Sequence, residues 1–305
     1  NLMVEATDLL GSSNAATFTF VVWNAETYLS HGTADSQLSS PSAIILDGSS
    51  YFVTDSGNSK LKKFTANFTL ENAIGELGTD PGSFTALVGV TKYGNTIYTL
   101  EGFPLGAPRI QTWDDATFAP TSQFGGQGVP AIGNALYTSP SAITTNGTNL
   151  YICDPAANLI ERLDMNTGVA ANIITNPNGT AFNGPSGIRV LNSSVYVADR
   201  NTQRIVVCTA NLSFTRSWNA SHPSDITAYG SYFITTDPTG NKIQIWDNSG
   251  VHQADIGAAG SALGKFDTPI SVISNNNKLV ILENGITSDQ ARIHVFTLPS
   301  ATELW

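Results

Sequence analysis

Pro185-Ser-Gly-Ile-Arg-Val, Ser194-Val-Tyr-Val-Ala-Asp199, Arg204-Ile-Val-Val-Cys208 and Leu212-Ser-Phe-Thr-Arg-Ser-Trp218 follow one another between residues 185 and 218. Each is a short run rich in β-branched and aromatic side chains, and polar turns separate them. Four such runs in succession predict a four-stranded unit. No window of comparable length carries the period of an amphipathic helix.

The unit recurs. Pro41, Leu87, Pro140, Pro185, Pro223 and Pro269 are each followed fourteen positions later by an acid, namely Asp55, Glu101, Asp154, Asp199, Asp237 and Glu283. Three residues before each anchor stand Leu38, Phe84, Tyr137, Phe182, Ala220 and Phe266; three after it stand Ile44, Val90, Ile143, Ile188, Ile226 and Val272. The anchors are 38 to 53 residues apart, the period of a four-stranded propeller blade. The pattern predicts an all-β, six-bladed β-propeller. One blade cannot bury both faces, whereas six stacked radially can, and the ring leaves only short edges.

Pro-Ser-Gly-Ile at 185–188, Val-Tyr-Val-Ala-Asp at 195–199, Arg204-Ile205 and Asn241-Lys-Ile-Gln-Ile-Trp-Asp247 resemble the NHL repeat. A basic residue precedes the third-strand aliphatic in five blades: Lys60-Leu61, Arg109-Ile110, Arg204-Ile205, Lys242-Ile243 and Arg292-Ile293. Blade 3 departs, with Leu159-Ile160. The resemblance covers roughly residues 27–305. It implies the fold and says little about activity, because propellers host many functions.

Ring closure is expected at the chain ends. Glu26-Thr-Tyr-Leu-Ser-His-Gly32 reads as an outer strand that completes blade 6, and Thr302-Glu-Leu-Trp305 competes for the place. Residues 1–23 do not fit the repeat, so the domains expected are an arm, 1–23, and a propeller, 24–305. Leu2–Asp8 and Ala16–Trp23 read as a hairpin that resembles the last hairpin of an immunoglobulin-like or cadherin-like module. Phe18, Phe20 and Val22 share one face and Trp23 falls on the other. Two strands are too few to be stable alone in water. The arm either packs on the propeller's side or completes another module or another copy by strand addition.

The chain carries a net charge of −10, and 12% of its residues are charged, against roughly 25% in ordinary globular domains. An acidic chain without a basic patch argues against nucleic acid and anionic membrane as partners. Ser, Thr, Asn and Gly stand in for charge, a composition associated with secreted or cell-surface proteins. There is no transmembrane stretch and no signal peptide, and the first residue is Asn; a mature chain and an excerpt of a longer one both account for this.

The six repeat acids are expected to be structural, accepting backbone N–H groups of the turn that follows each. A calcium ion among them in the channel stays open as an alternative; otherwise no metal set or cofactor is expected. His31 and His252 fall on outer strands and His294 on a third strand, so they do not converge. His222 precedes an inner strand, where it could face the channel mouth. Amidating lyases, as members of this family, imply several His around a zinc; one matching position does not make such a site. Cys153 takes the slot of Ala198, and Cys208 the third-strand aromatic slot of Phe64, Trp113, Trp246 and Phe296. Both read as core, with a disulfide between neighbouring blades left open.

Asn67, Asn146, Asn178, Asn192, Asn211 and Asn219 begin Asn-x-Ser/Thr sequons. Asn67 and Asn211 both stand twelve residues after a repeat acid, in Thr-Ala-Asn of an outer hairpin, and are the favoured glycan sites. Two loops between second and third strands are longer than the rest, Glu101–Arg109 and Glu283–Arg292. They flank blade 1 and should rise on one face. Phe103, Pro104, Leu105 and Arg109, with Ile286, Asp289 and Arg292, are candidate contacts of a binding surface there; plain variation in loop length is the alternative. The function expected is an extracellular, non-enzymatic binding or structural module that meets a protein partner or other copies of itself. The alternative is a metal-dependent lyase or hydrolase acting in the channel.

Overall fold

The computed structural model describes residues 2–6 and 18–22 as backbone, and residues 24–103, 106–285 and 291–298 in full. Six four-stranded antiparallel sheets follow one another along the chain. Blade 1 comprises Pro41–Asp47, Ser50–Asp55, Lys60–Phe64 and Leu70–Ile74. Blade 4, the clearest in sequence, comprises Pro185–Leu191, Ser194–Asp199, Arg204–Thr209 and Phe214–Asn219. The chain is a six-bladed β-propeller.

The fixed offset of the repeat acids now has a cause. A seven-residue inner strand, a two-residue turn and a six-residue second strand bring the acid back beside its anchor. Pro41 pairs with Asp55, Leu87 with Glu101, Pro185 with Asp199 and Pro269 with Glu283.

Six apolar clusters form the core, one at each blade junction. Phe52 and Leu61 of blade 1 meet Leu87, Val90, Ile97 and Trp113 of blade 2. Tyr51 and Val53, pointing the other way from the same strand, meet Val280, Leu282 and Ile293 of blade 6. A strand thus buries both faces, which is why the second strands read as nearly continuous apolar runs rather than alternating ones. The residues three before and three after each anchor are all buried.

Blade 6 is completed by Asn24–Tyr28, which pairs antiparallel with Arg292–Thr297, Ile293 facing Tyr28 and Thr297 facing Asn24. The expected closure holds, with the strand set two residues earlier than Glu26–Gly32. His31 instead forms a parallel bridge to Leu38 in the loop that leads into blade 1. The competing segment 302–305 lies outside the described residues. Leu2–Ala6 pairs antiparallel with Phe18–Val22, giving the expected hairpin, and Leu2–Ala6 runs close to His252–Ile256, the outer strand of blade 5. Among the described residues no helix is long and apolar enough to cross a membrane.

Candidate functional site

The inner strands enclose a central channel, and the residue after each anchor faces it. Four of the six are serines, and each donates its hydroxyl to a carbonyl of the next blade. Ser42 reaches Leu87 O at 2.9 Å, Ser141 reaches Ser186 O at 3.2 Å, Ser186 reaches Pro223 O at 3.1 Å and Ser224 reaches Ile270 O at 2.5 Å. The serines therefore stitch the ring rather than offer free hydroxyls. Gly187 is needed for this approach, since a Cβ there would stand 2.0 Å from Ser224 O.

The channel also holds a charged pair that lies outside the repeat pattern. Arg189, on the inner strand of blade 4, donates Nε to Asp225 Oδ1 at 3.0 Å and Nη2 to Asp225 Oδ2 at 2.7 Å. The same Nη2 reaches Ile44 O of blade 1 at 3.0 Å and Ser271 Oγ of blade 6 at 3.2 Å. Asp225 also accepts Ser271 Oγ–H at 2.6 Å, Val272 N–H at 3.0 Å and Ile226 N–H at 2.8 Å. Arg189 lines two cavities. One, of about 380 Å³, lies on the side of Ser56, Arg200 and Asn284, and the other, of about 290 Å³, on the side of Leu46, Lys92 and Leu191. A signal was present in the sequence. The positions equivalent to Arg189 hold Ile45, Thr91, Thr144, Thr227 and Ile273, and those equivalent to Asp225 hold Ala43, Gly89, Ala142, Gly187 and Ser271. A charge in either row is an exception.

A channel cation does not fit this donor set. Among the described residues the one acid on the channel lining is Asp225, already bonded to a guanidinium that reaches across the axis. Among the described residues no three His, Cys, Asp or Glu gather to hold a metal. His222 is not on the cavity lining; its Nδ1 stands 3.3 Å from the Ser221 hydroxyl. His294 is fully buried, with Nε2 2.7 Å from Glu283 Oε1, a close pair rather than an aligned hydrogen bond.

The six repeat acids are fully buried, and their partners differ from those expected. In five blades the carboxylate accepts a backbone N–H sixteen residues earlier, in the loop leading into the blade. Ser39 N donates to Asp55, Thr85 N to Glu101, Thr138 N to Asp154, Asn183 N to Asp199 and Asp267 N to Glu283. In blade 5 Gln244 takes that role for Ser221 N, and Asp237 accepts from Gly240 in the following turn. The following turn is met elsewhere only in part, by Ala157 N to Asp154 and Asn58 Nδ2 to Asp55. A preceding loop has more unpaired N–H groups than a tight turn, and a buried carboxylate needs several donors.

In blades 2, 4 and 6 the arginine of the third strand completes these pins. Arg109 donates Nε to Glu101 at 2.6 Å, and its remaining N–H groups go to Thr79 O, Gln123 Oε1, Asp80 O and Ser83 O. Arg292 donates Nε to Glu283 at 3.0 Å and then to Ser261 O, Gly260 O and Lys265 O. Both are candidate binding-surface contacts by sequence, and in the fold both guanidinium groups clamp the lead-in loops. Phe103 is exposed (53%). Arg109 lines a cavity of about 300 Å³ with Thr79, Gly106, Pro108 and Phe124. Pro104, Leu105, Ile286 and Asp289 lie outside the described residues. So do Trp23 and the side chains of Phe18, Phe20 and Val22.

All six sequon asparagines are exposed. Asn67 and Asn211 occupy matching turns. Thr65 N bonds Thr69 O and Phe68 N bonds Thr65 O; Thr209 N bonds Ser213 O and Leu212 N bonds Thr209 O. The middle residues Phe68 and Leu212 both take positive φ, 57° and 60°, and both are buried, so each turn pushes its Asn outward. Cys153 and Cys208 are free thiols in one core cluster between blades 3 and 4. Burial pushes the Cys208 thiol up to about 11 and also raises Cys153 well above the ordinary thiol value.

No protein-family model and no curated protein matches this sequence. Solved structures do match. A protein of unknown function from Bacteroides thetaiotaomicron superposes over 94% of this chain and 78% of its own, with a TM-score of 0.65 at 13% identity. A streptogramin B lyase matches over 84% of this chain and 78% of its own, at 0.58 and 17%. A chain of a nidogen/laminin complex matches over 74% and 82%, at 0.55 and 14%. At these identities the likeness shows fold alone, and it shows a β-propeller.

Proposed function

We propose that this chain is an extracellular, non-enzymatic binding or structural module, part of a larger cell-surface protein or extracellular assembly. The observation that carries the reading is the state of the channel. Its charged pair is consumed by bonds that tie blades together, and its serines are consumed by stitches between blades. Catalysis needs a nucleophile, acid or base free to meet a substrate. The metal-dependent lyase or hydrolase reading gains nothing from this donor set.

Apolar groups are offered on the loop-bearing face instead. Leu77, in the loop leading into blade 2, is 72% exposed, and Phe103 stands out between the second and third strands of that blade. Exposed apolar anchors on a rigid scaffold suit a protein partner. The low charge content and exposed sequons support an extracellular setting. The hairpin 2–6/18–22, whose first strand runs close to the outer strand of blade 5, is proposed as a second contact element that meets other copies of this chain. Sedimentation of the full chain against one lacking residues 1–23 tests this. Concentration-dependent association that disappears on deletion, with the propeller still folded, supports the reading. Full chains that stay monomeric at all concentrations count against self-assembly.

A further inference from the structure

We propose that the channel cavity on the loop-bearing side binds a small organic carboxylate, held between Arg200 at its mouth and Arg189 at its floor. This goes beyond the protein-binding reading and does not rest on it. The two arginines line one cavity of about 380 Å³, a size typical of small-molecule sites.

Of the two arginines that line this cavity, Arg200 is the one without a carboxylate partner among the described residues; Arg162 and Arg216, which also form no ion pair, do not line it. Arg109, Arg204 and Arg292 each meet a repeat acid, and Arg189 meets Asp225. Arg200 forms no ion pair among the described residues; its hydrogen bond is a long one, 3.4 Å from Nη2 to Thr239 Oγ1. It follows the repeat acid Asp199 directly, so the strand end fixes its place at the rim. At the floor, Arg189 turns Nε and Nη2 to Asp225 and leaves Nη1 without a bond among the described residues.

Inside the cavity Asp225 occupies Nε and Nη2 of Arg189, and leaves Arg200 and Nη1 of Arg189 unclaimed by an acid among the described residues. Asp225, its one acid, already accepts from Arg189, Ser271, Val272 and Ile226. Guanidinium forks match carboxylates better than they match a point anion. Pro41, Val88 and Ile270 supply apolar wall between the two charges, which suits a short carbon skeleton over a hydrated inorganic ion. In a chain of net charge −10, the Arg189–Asp225 pair is neutral in sum and Arg200 adds one uncompensated positive charge to the cavity lining, a local attraction for an anion.

The test titrates the full chain with acetate, succinate and citrate by calorimetry, at ionic strength held constant with sodium chloride. Saturable binding of at least one, weakened at least about tenfold by Arg200→Ala, supports the site. Arg200→Gln serves as a second variant of similar length should the alanine chain not fold. No saturable binding of any of the three overturns the proposal. So does binding of equal strength in the parent and in either folded variant.

Discussion

Arg189 Nη2 of blade 4 stands 2.7 Å from Asp225 Oδ2 of blade 5 and, at the same time, 3.0 Å from Ile44 O of blade 1. One side chain therefore spans the channel and holds non-adjacent blades together. Arg189→Met leaves Asp225 buried without its counter-charge, a loss of about 3–5 kcal/mol. Asp225→Ala strands the guanidinium instead, at a similar cost. The double variant should lose clearly less than the sum, because no unpaired charge remains. Urea denaturation of the four chains measures this; strict additivity would mean the two groups do not interact.

Blade count, ring closure and junction core were legible because they rest on a repeated pattern. Leu38, Phe84, Tyr137, Phe182 and Phe266 recur at one place, and each is buried where its blade begins. The repeat acids were legible as structural, but not their partners, since a carboxylate's donors come from a loop whose path the pattern does not describe. Arg189 and Asp225 fall outside the repeat pattern, which describes only what the blades share. The channel chemistry lies in what they do not share. Arg109 and Arg292 look like ligand contacts in a long loop, and only the fold shows that their guanidinium groups turn back onto that loop's neighbours.

Ile226, on the inner strand of blade 5, is fully buried and packs in the junction with blade 4. Ile226→Val should cost about 0.5–1.5 kcal/mol. Ile226→Asp should abolish folding, since an unpaired charge has no place in that junction. Circular dichroism melts of the two variants check this. A soluble Ile226→Asp chain with the parent's melting temperature would move the repeat register off this position.

If the native source glycosylates secreted chains, Asn67 and Asn211 should be the most fully occupied sequons. Their turns point them outward while the next residue is buried, and the Asn67 side chain makes no hydrogen bond among those described. Asn146 is less suited, because its Nδ2 already donates to the Tyr151 hydroxyl at 2.9 Å. Peptide mass spectrometry of native material covering 60–72, 140–152 and 205–217 ranks them. Bare Asn67 and Asn211 beside a glycosylated Asn146 would reverse the ranking.

Blade 3 carries a pH dependence of its own. Its third strand places Glu161 where blades 1, 2, 5 and 6 hold Lys62, Gln111, Gln244 and His294. Lys62 and Gln111 bond the repeat acid of their blade. Glu161 has no such bond to give when ionised. It is fully buried, neither of its oxygens finds a hydrogen-bond partner, and the buried Tyr137 hydroxyl is likewise unpartnered. Burial first, and then the charge of Asp154, push Glu161 from 4.5 up to about 8. Between those two values the folded chain holds a proton that the unfolded chain has lost. Stability from this group is thus fully present below the lower value and declines as pH rises through the upper one, by a total on the order of 4 kcal/mol. Glu161→Gln keeps the shape and cannot ionise. Its melting temperature should fall less than the parent's between about pH 6 and about pH 9, and at the alkaline end it should be the more stable chain. Parallel pH profiles for parent and variant would place the alkaline loss at another group.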